Sequence, residues 1–138
     1  MYEVFDHTAD IGLRVKSATL DDLFCEAAEA LFSLIVTNVK DVDPRQSLRF
    51  NLALRDHEYD YLLFDWLNEL LFTFDTKRIA LAKFDVKIVP PGLEATAWGE
   101  PIDPLRHRLE HEVKAITYHG LKLIHEDERW LAEVILDI

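Results

Sequence analysis

Two stretches of this chain carry apolar residues at intervals of three and four, and nearly everything around them alternates with a period of two. The first stretch is Leu20, Leu23, Phe24, Ala27, Ala28, Leu31, Phe32 and Ile35; the second is Tyr59, Leu62, Leu63, Trp66, Leu67, Leu70, Leu71 and Phe74. That spacing lines one side of a 3.6-residue helix, so each stretch predicts an amphipathic helix, the first over 20–35. Thr19 followed by Asp21-Asp22 suits the start of that helix, where unpaired amides and the positive end of the dipole meet acceptors. Leu48, Phe50, Leu52 and Leu54 alternate with Arg49, Asn51, Ala53 and Arg55; Ala80, Ala82, Phe84, Val86 and Ile88 alternate with Lys83, Asp85 and Lys87. Leu93, Ala95 and Ala97, and later Trp130, Ala132, Val134 and Leu136, repeat the pattern of a half-buried strand. Further strands are expected at 2–5, 11–16, 113–118 and 121–124. Pro90-Pro91-Gly92 reads as a hairpin turn, Gly99-Glu100-Pro101 as the end of the returning strand, and 103–110 as an ordered loop or a turn of helix. Two helices and seven or eight strands joined by short turns predict an α+β two-layer sandwich, two amphipathic helices on a largely antiparallel or mixed sheet, in a single domain of residues 1–138.

The chain has 138 residues, 49% of them hydrophobic, which is enough for a core without disulfides. Its 15 basic and 26 acidic residues leave a net charge of −11. Direct nucleic-acid binding through a basic surface is therefore not expected, and the balance favours cations and basic partners. The longest apolar runs, Tyr61 to Phe64 and Ile79 to Ala82, fall far short of the ~20 residues a membrane helix needs. The N-terminal residues lack the cationic start and apolar stretch of a secretory signal, so the cytoplasm is the expected location. Cys25 stands alone and is read as a small residue of the first helix. Phosphate-cradling glycine loops, nucleophile elbows and zincin motifs are all missing.

What remains is a surplus of carboxylates and six histidines. Most of the acids fall on helix faces or turns that face water. Asp10 differs because it sits where a polar loop meets the strand beginning Ile11-Gly12, and Asp137 because it closes the apolar run Val134-Ile135-Leu136. A terminal strand ending in apolar residues should be docked, which would fix the α-carboxylate of Ile138 beside Asp137. If the strands of Asp10 and Asp137 are neighbours, three carboxylates converge, and they require either raised pKa values or a cation among them. Oxygen donors select Ca²⁺ or Mg²⁺, although His7 keeps zinc open. His7 and Thr8 either orient Asp10 or form the turn. His119 sits at a break before Gly120, where its side chain could enter a cleft. Lys114 alternates with Val113 and Ala115 and is either an edge charge that deters strand pairing or a contact for a partner's phosphate or carboxylate.

Five stretches together resemble the archease family: 6–12 (DHTADIG), 65–71 (DWLNELL), Gly99-Glu100-Pro101 through Asp103-Pro104 and His107, 112–120 (EVKAITYHG) and 132–138 (AEVILDI). The resemblance implies a small cytoplasmic accessory protein, not itself an enzyme, that promotes guanylylation and multiple turnover of an RtcB-type tRNA-splicing RNA ligase. An alternative role that travels with the family is chaperone-like modulation of a tRNA cytosine-5 methyltransferase. The resemblance places a divalent cation on Asp10, Asp137 and Ile138, with calcium the usual ion and magnesium or manganese the alternatives. It also makes Lys114 a partner-facing residue. A metal-dependent phosphoesterase using the same cluster is the rival reading, and it would need a general base and an enclosing pocket.

Overall fold

The computed structural model describes residues 1–7, 10–54, 58–90 and 92–138, with the side chain of His7 outside that description. In chain order the elements are β1 (Tyr2–His7), β2 (Asp10–Ser17), α1 (Leu20–Ile35), a 3-10 turn (Val39–Asp41), β3 (Gln46–Ala53), α2 (Tyr59–Lys77), β4 (Ile79–Val89), β5 (Gly92–Pro101), β6 (Ala115–Ile116), β7 (Lys122–Glu126) and β8 (Arg129–Asp137). The start of α1 follows from its side chains: Thr19 Oγ1 accepts the Asp22 N–H at 3.1 Å, with Asp21 and Asp22 in the first turn. Its far end is finished from outside, as the carbonyls of Ile35 and Leu34 accept N–H bonds from Glu110 (3.0 Å) and His111 (3.2 Å). α2 stops at Arg78, whose left-handed backbone (φ 51°, ψ 51°) lets its N–H reach the Phe74 carbonyl at 2.9 Å.

The strands divide between two sheets. One runs in the order β1-β2-β8-β6, with β7 also pairing β8, and the other in the order β3-β5-β4. Every one of these pairs is antiparallel. The β2–β8 register sets Ile11 opposite Leu136, Leu13 opposite Val134 and Val15 opposite Ala132. All six are buried, so this face of the first sheet is core. α1 packs against both β2 and β4 and thus spans the two sheets. Trp66 of α2 locks the helices together: its Nε1–H donates to the Phe24 carbonyl at 3.0 Å, while its ring meets Phe50 edge-on at a centroid distance of 5.4 Å. Among the described residues, no helix is long and apolar enough to cross a membrane.

Two strand expectations change in detail. β5 continues through Gly99 and Glu100 instead of stopping there. A Cβ on Gly99 would overlap the Ala80 carbonyl oxygen, next to the irregularity between Leu81 and Lys83, so that glycine permits close strand approach and does not end the strand. The strand expected at 113–118 shrinks to Ala115–Ile116. Lys114 consequently precedes the strand, and its exposure does not follow from alternation within it. The segment 103–110 is a turn and loop, joined to Val36 by an isolated bridge at Leu109.

Candidate functional site

At one end of the first sheet the strand termini fall in a row. His7 pairs with Asp10 across β1 and β2, and Asp137 pairs with Ala115 across β8 and β6. Between them, one residue beyond the Ile11–Leu136 pair, β2 begins at Asp10 and β8 ends at Asp137. Because side chains alternate across a strand, Asp10 and Asp137 stand on the face opposite buried Ile11 and Leu136, away from the helices. Asp137 is exposed and Asp10 half-buried. The position of Asp137 is fixed from both sides: the Lys114 N–H donates to its carbonyl at 2.7 Å, and the next side chain, Ile138, packs on the core.

The segment after β6 leans against the same region. Thr117 bonds the Ile135 carbonyl twice, through its N–H (3.1 Å) and its hydroxyl (3.0 Å), and Gly120 (φ +67°) lies beside the Ile135 side chain. Tyr118 stacks on Phe64 of α2 with centroids 3.9 Å apart. His119 is exposed on this anchored segment, and Lys114 is exposed just before β6. The sequence-predicted residues Asp10, Asp137, Ile138 and Lys114 therefore share one end of one sheet, with His119 two residues beyond Thr117. Thr8 and the side chain of His7 lie outside the described residues. Among the described residues no three His, Cys, Asp or Glu side chains come together as a metal would require.

The same outward face has an ordered charge row four residues along the strands from the site. Arg14 sits opposite both Glu3 and Glu133, and Glu133 sits opposite Lys122. Arg14 Nη1 donates to Glu3 at 2.8 Å and Nε to Glu133 at 3.5 Å. The bond to Glu3 is the main reason its pKa is raised, so it stays charged. Phe5 lies between this row and the site: its ring covers Gly12, where a Cβ would collide with it, and meets the Arg14 guanidinium at 4.7 Å.

Sequence reading assigned no role to Glu100, which is 1% exposed. It accepts from Arg106 Nη1 (2.5 Å), the Asp43 N–H (2.6 Å) and His107 Nε2 (3.2 Å). Buried His107 in turn accepts the Asp103 N–H on Nδ1 at 2.8 Å, so the nitrogen facing Glu100 carries the hydrogen and the ring is neutral. Hydrogen bonding by Arg106 above all, against the effect of burial, holds the Glu100 carboxyl down at about 2. This cluster pins 103–107 against the end of β5 and the loop before β3. Its signal in the sequence was the 99–107 stretch that resembles archeases.

Comparison with known proteins places this architecture. The model of the Archease protein family (MTH1598/TM1083) matches residues 2–138. The protein archease of Methanopyrus kandleri is 38% identical over 141 residues, covering 99% of each chain, and that of Pyrococcus furiosus is 37% identical over 142 residues, covering 99% of this chain and 98% of its own. The solution structure of Methanobacterium thermoautotrophicum protein 1598 superposes with a TM-score of 0.85 at 38% identity, covering 99% of this chain and 98% of the other. The 2.0 Å crystal structure of an archease, possible chaperone, from Thermotoga maritima gives a TM-score of 0.71 at 22% identity over 100% of this chain and 98% of the other, a likeness of fold. With the family model spanning the row of strand termini at both ends and relatives matched over nearly their whole length, this chain belongs to the archease family.

Proposed function

We propose that this chain is a cytoplasmic accessory protein of RNA ligation, acting on an RtcB-type tRNA-splicing ligase to promote its guanylylation and multiple turnover, and not itself an enzyme. The observation that carries the reading is the register that ends β2 and β8 at Asp10 and Asp137, beside the backbone anchor from Lys114. The donor set fits a hard divalent cation, Ca²⁺ or alternatively Mg²⁺ or Mn²⁺: Asp10 and Asp137 offer carboxylate oxygens, and the carboxylate expected at Ile138 is the third donor. When bound, such an ion supplies neutralisation of charge on phosphate oxygens. The protein's own groups hold this geometry stiffly, since β8 is paired on both sides and Ile138 is seated on the core. Exposed Lys114 offers a cation to an anionic group of the partner or its nucleotide, and the −11 charge steers the molecule toward a basic cleft. The test is multiple-turnover ligation by the purified ligase. Stimulation is expected to fall by about tenfold or more with Asp10→Ala or Lys114→Ala, in line with losing a charge that stabilises phosphoryl transfer. Undiminished stimulation by both variants would remove the proposal.

A chaperone-like action on a tRNA cytosine-5 methyltransferase is the second reading. It draws on the exposed apolar side chains of Phe72 (58%), Leu105 (96%) and Leu109 (47%). It predicts protection of that client from aggregation that survives Asp10→Ala and is lost on Leu105→Asp.

A further inference from the structure

β1 is the last strand of the five-stranded sheet and β4 the last of the three-stranded one, and neither has a strand on its outer side among the described residues. The two edges are treated differently. That of β4 is covered by α1: Asp21 Oδ1 accepts the Ile88 N–H at 2.9 Å, and the Cys25 thiol donates to the Phe84 carbonyl at 3.5 Å. Side chains of a helix thus stand in for a neighbouring strand. Among the described residues, no side chain bonds the backbone of β1 in this way.

Register makes the gap plain. Tyr2 and Val4 pair with Val15 and Leu13 and share their sheet face. Val15 and Leu13 are 1% and 0% exposed, whereas Tyr2 and Val4 are 38% and 45% exposed. The helix layer stops one strand short. Beyond it opens a groove of about 420 Å³, its apolar lining including Tyr2, Phe32, Val42, Ala82 and Phe84. Of the charged side chains along it, Lys83 lies across the Trp98 ring at 5.1 Å, and Lys40 stands on the 3-10 turn. Glu29, exposed on α1, has no hydrogen bond or ion pair among the described residues; partial burial, followed by repulsion from Glu26, raises its pKa against the pull of the N-terminal amino group. Half-exposed Glu3 stands on the other face of β1, bonded to Arg14 on its inner side at 2.8 Å.

We propose that this groove receives an extended segment of a partner protein, apolar residues alternating with lysine or arginine, added as a strand to the free edge of β1. Among the described residues, the outer edge of β1 has no strand partner, and its backbone N–H and C=O groups have the spacing an added strand needs. Alternate side chains of an added strand fall on opposite faces, the apolar ones over Phe32 and Phe84 and the basic ones near Glu3, with Glu29 at the groove margin for a flanking cation. Charge decides the kind of occupant: a second copy would bring −11 against −11, and a nucleic acid meets the same repulsion. The groove lies at the Tyr2 end of β1, away from the row at His7 and Asp10, so it is independent of the function proposed above.

The test uses the intact protein and a fluorescein-labelled decapeptide alternating valine and lysine, followed by anisotropy. Comparison peptides carry glutamate for lysine, or the same residues N-methylated at alternate positions so that no ladder can form. The valine-lysine peptide is expected to bind, with affinity about tenfold weaker for either comparison peptide. Glu29→Gln, at an exposed helix position, is expected to weaken binding about threefold to tenfold, and Val4→Lys by more, while Asp10→Ala leaves it unchanged. Amide protons of 2–6 should gain exchange protection in the complex. Equal binding of the N-methylated peptide, no binding at millimolar concentration, or a sedimenting dimer with 2–6 already protected would each overturn the proposal.

Discussion

Glu100 shows how much one buried carboxylate can organise. A charge in the core is tolerable when each lone pair finds a donor, and here the guanidinium of Arg106, a backbone N–H and a neutral imidazole supply them. Its pKa of about 2 lies below the ordinary value of 4.5, so the stabilisation it gives is complete above about pH 4.5 and is lost as pH falls toward 2. Glu100→Gln is expected to destabilise the fold by about 2–3 kcal/mol at pH 7 in urea denaturation, and the gap to the parent protein should narrow between pH 4.5 and 2. A gap independent of pH would show that the charge of Glu100 does not matter. At this scale the sequence was uneven. Asp10 and Asp137 could be singled out because each closes a run of readable strand periodicity. Glu100 could not, because its Asp43 contact lies 57 residues away in the chain.

Elements with a strong period were legible in kind, and the first helix to the residue. The first helix falls on Leu20–Ile35 as expected, because both its apolar stripe and its Thr19 cap are local properties. The strand through Gly99 was not, since local reading treats glycine as a breaker while the sheet uses it for the close approach of β4. The turn between β7 and β8 is a further case. Asp127 and Glu128 both have positive φ, 51° and 61°, which matches the right-handed twist of the flanking strands but strains side chains with a Cβ. Glu128→Gly is expected to stabilise the protein by about 0.5–1 kcal/mol by relieving that strain, raising the thermal midpoint by a few degrees. An unchanged or lowered midpoint would show the turn to be unstrained. His125, stacked on Trp130 at 4.2 Å across the same hairpin, serves as the internal control for strand register by its ring-current shift.

For the whole molecule the deciding contacts join parts that no local pattern connects. Trp66 holds α2 to α1 through the Phe24 carbonyl and touches Phe50 of β3 and Phe84 of β4. Trp66→Phe removes the indole bond to the Phe24 carbonyl, which keeps its helical partner, and opens a cavity at the fully buried Trp66 position; it should cost about 2–3 kcal/mol, with near- and far-ultraviolet dichroism melting together. Separate transitions would show that the two sheets do not share one cooperative core. Family membership was readable from five short stretches in order. The sequence alone also determined which segments are helix or strand and which side of each is apolar, because those follow from backbone geometry acting over a few residues. Which strands pair, that they form two sheets, and that Asp10 and Asp137 end side by side were decided only by the tertiary structure. Periodicity names the face a strand buries but not its neighbour, and the pairing of residue 11 with residue 136 is selected only when the whole chain closes over one core.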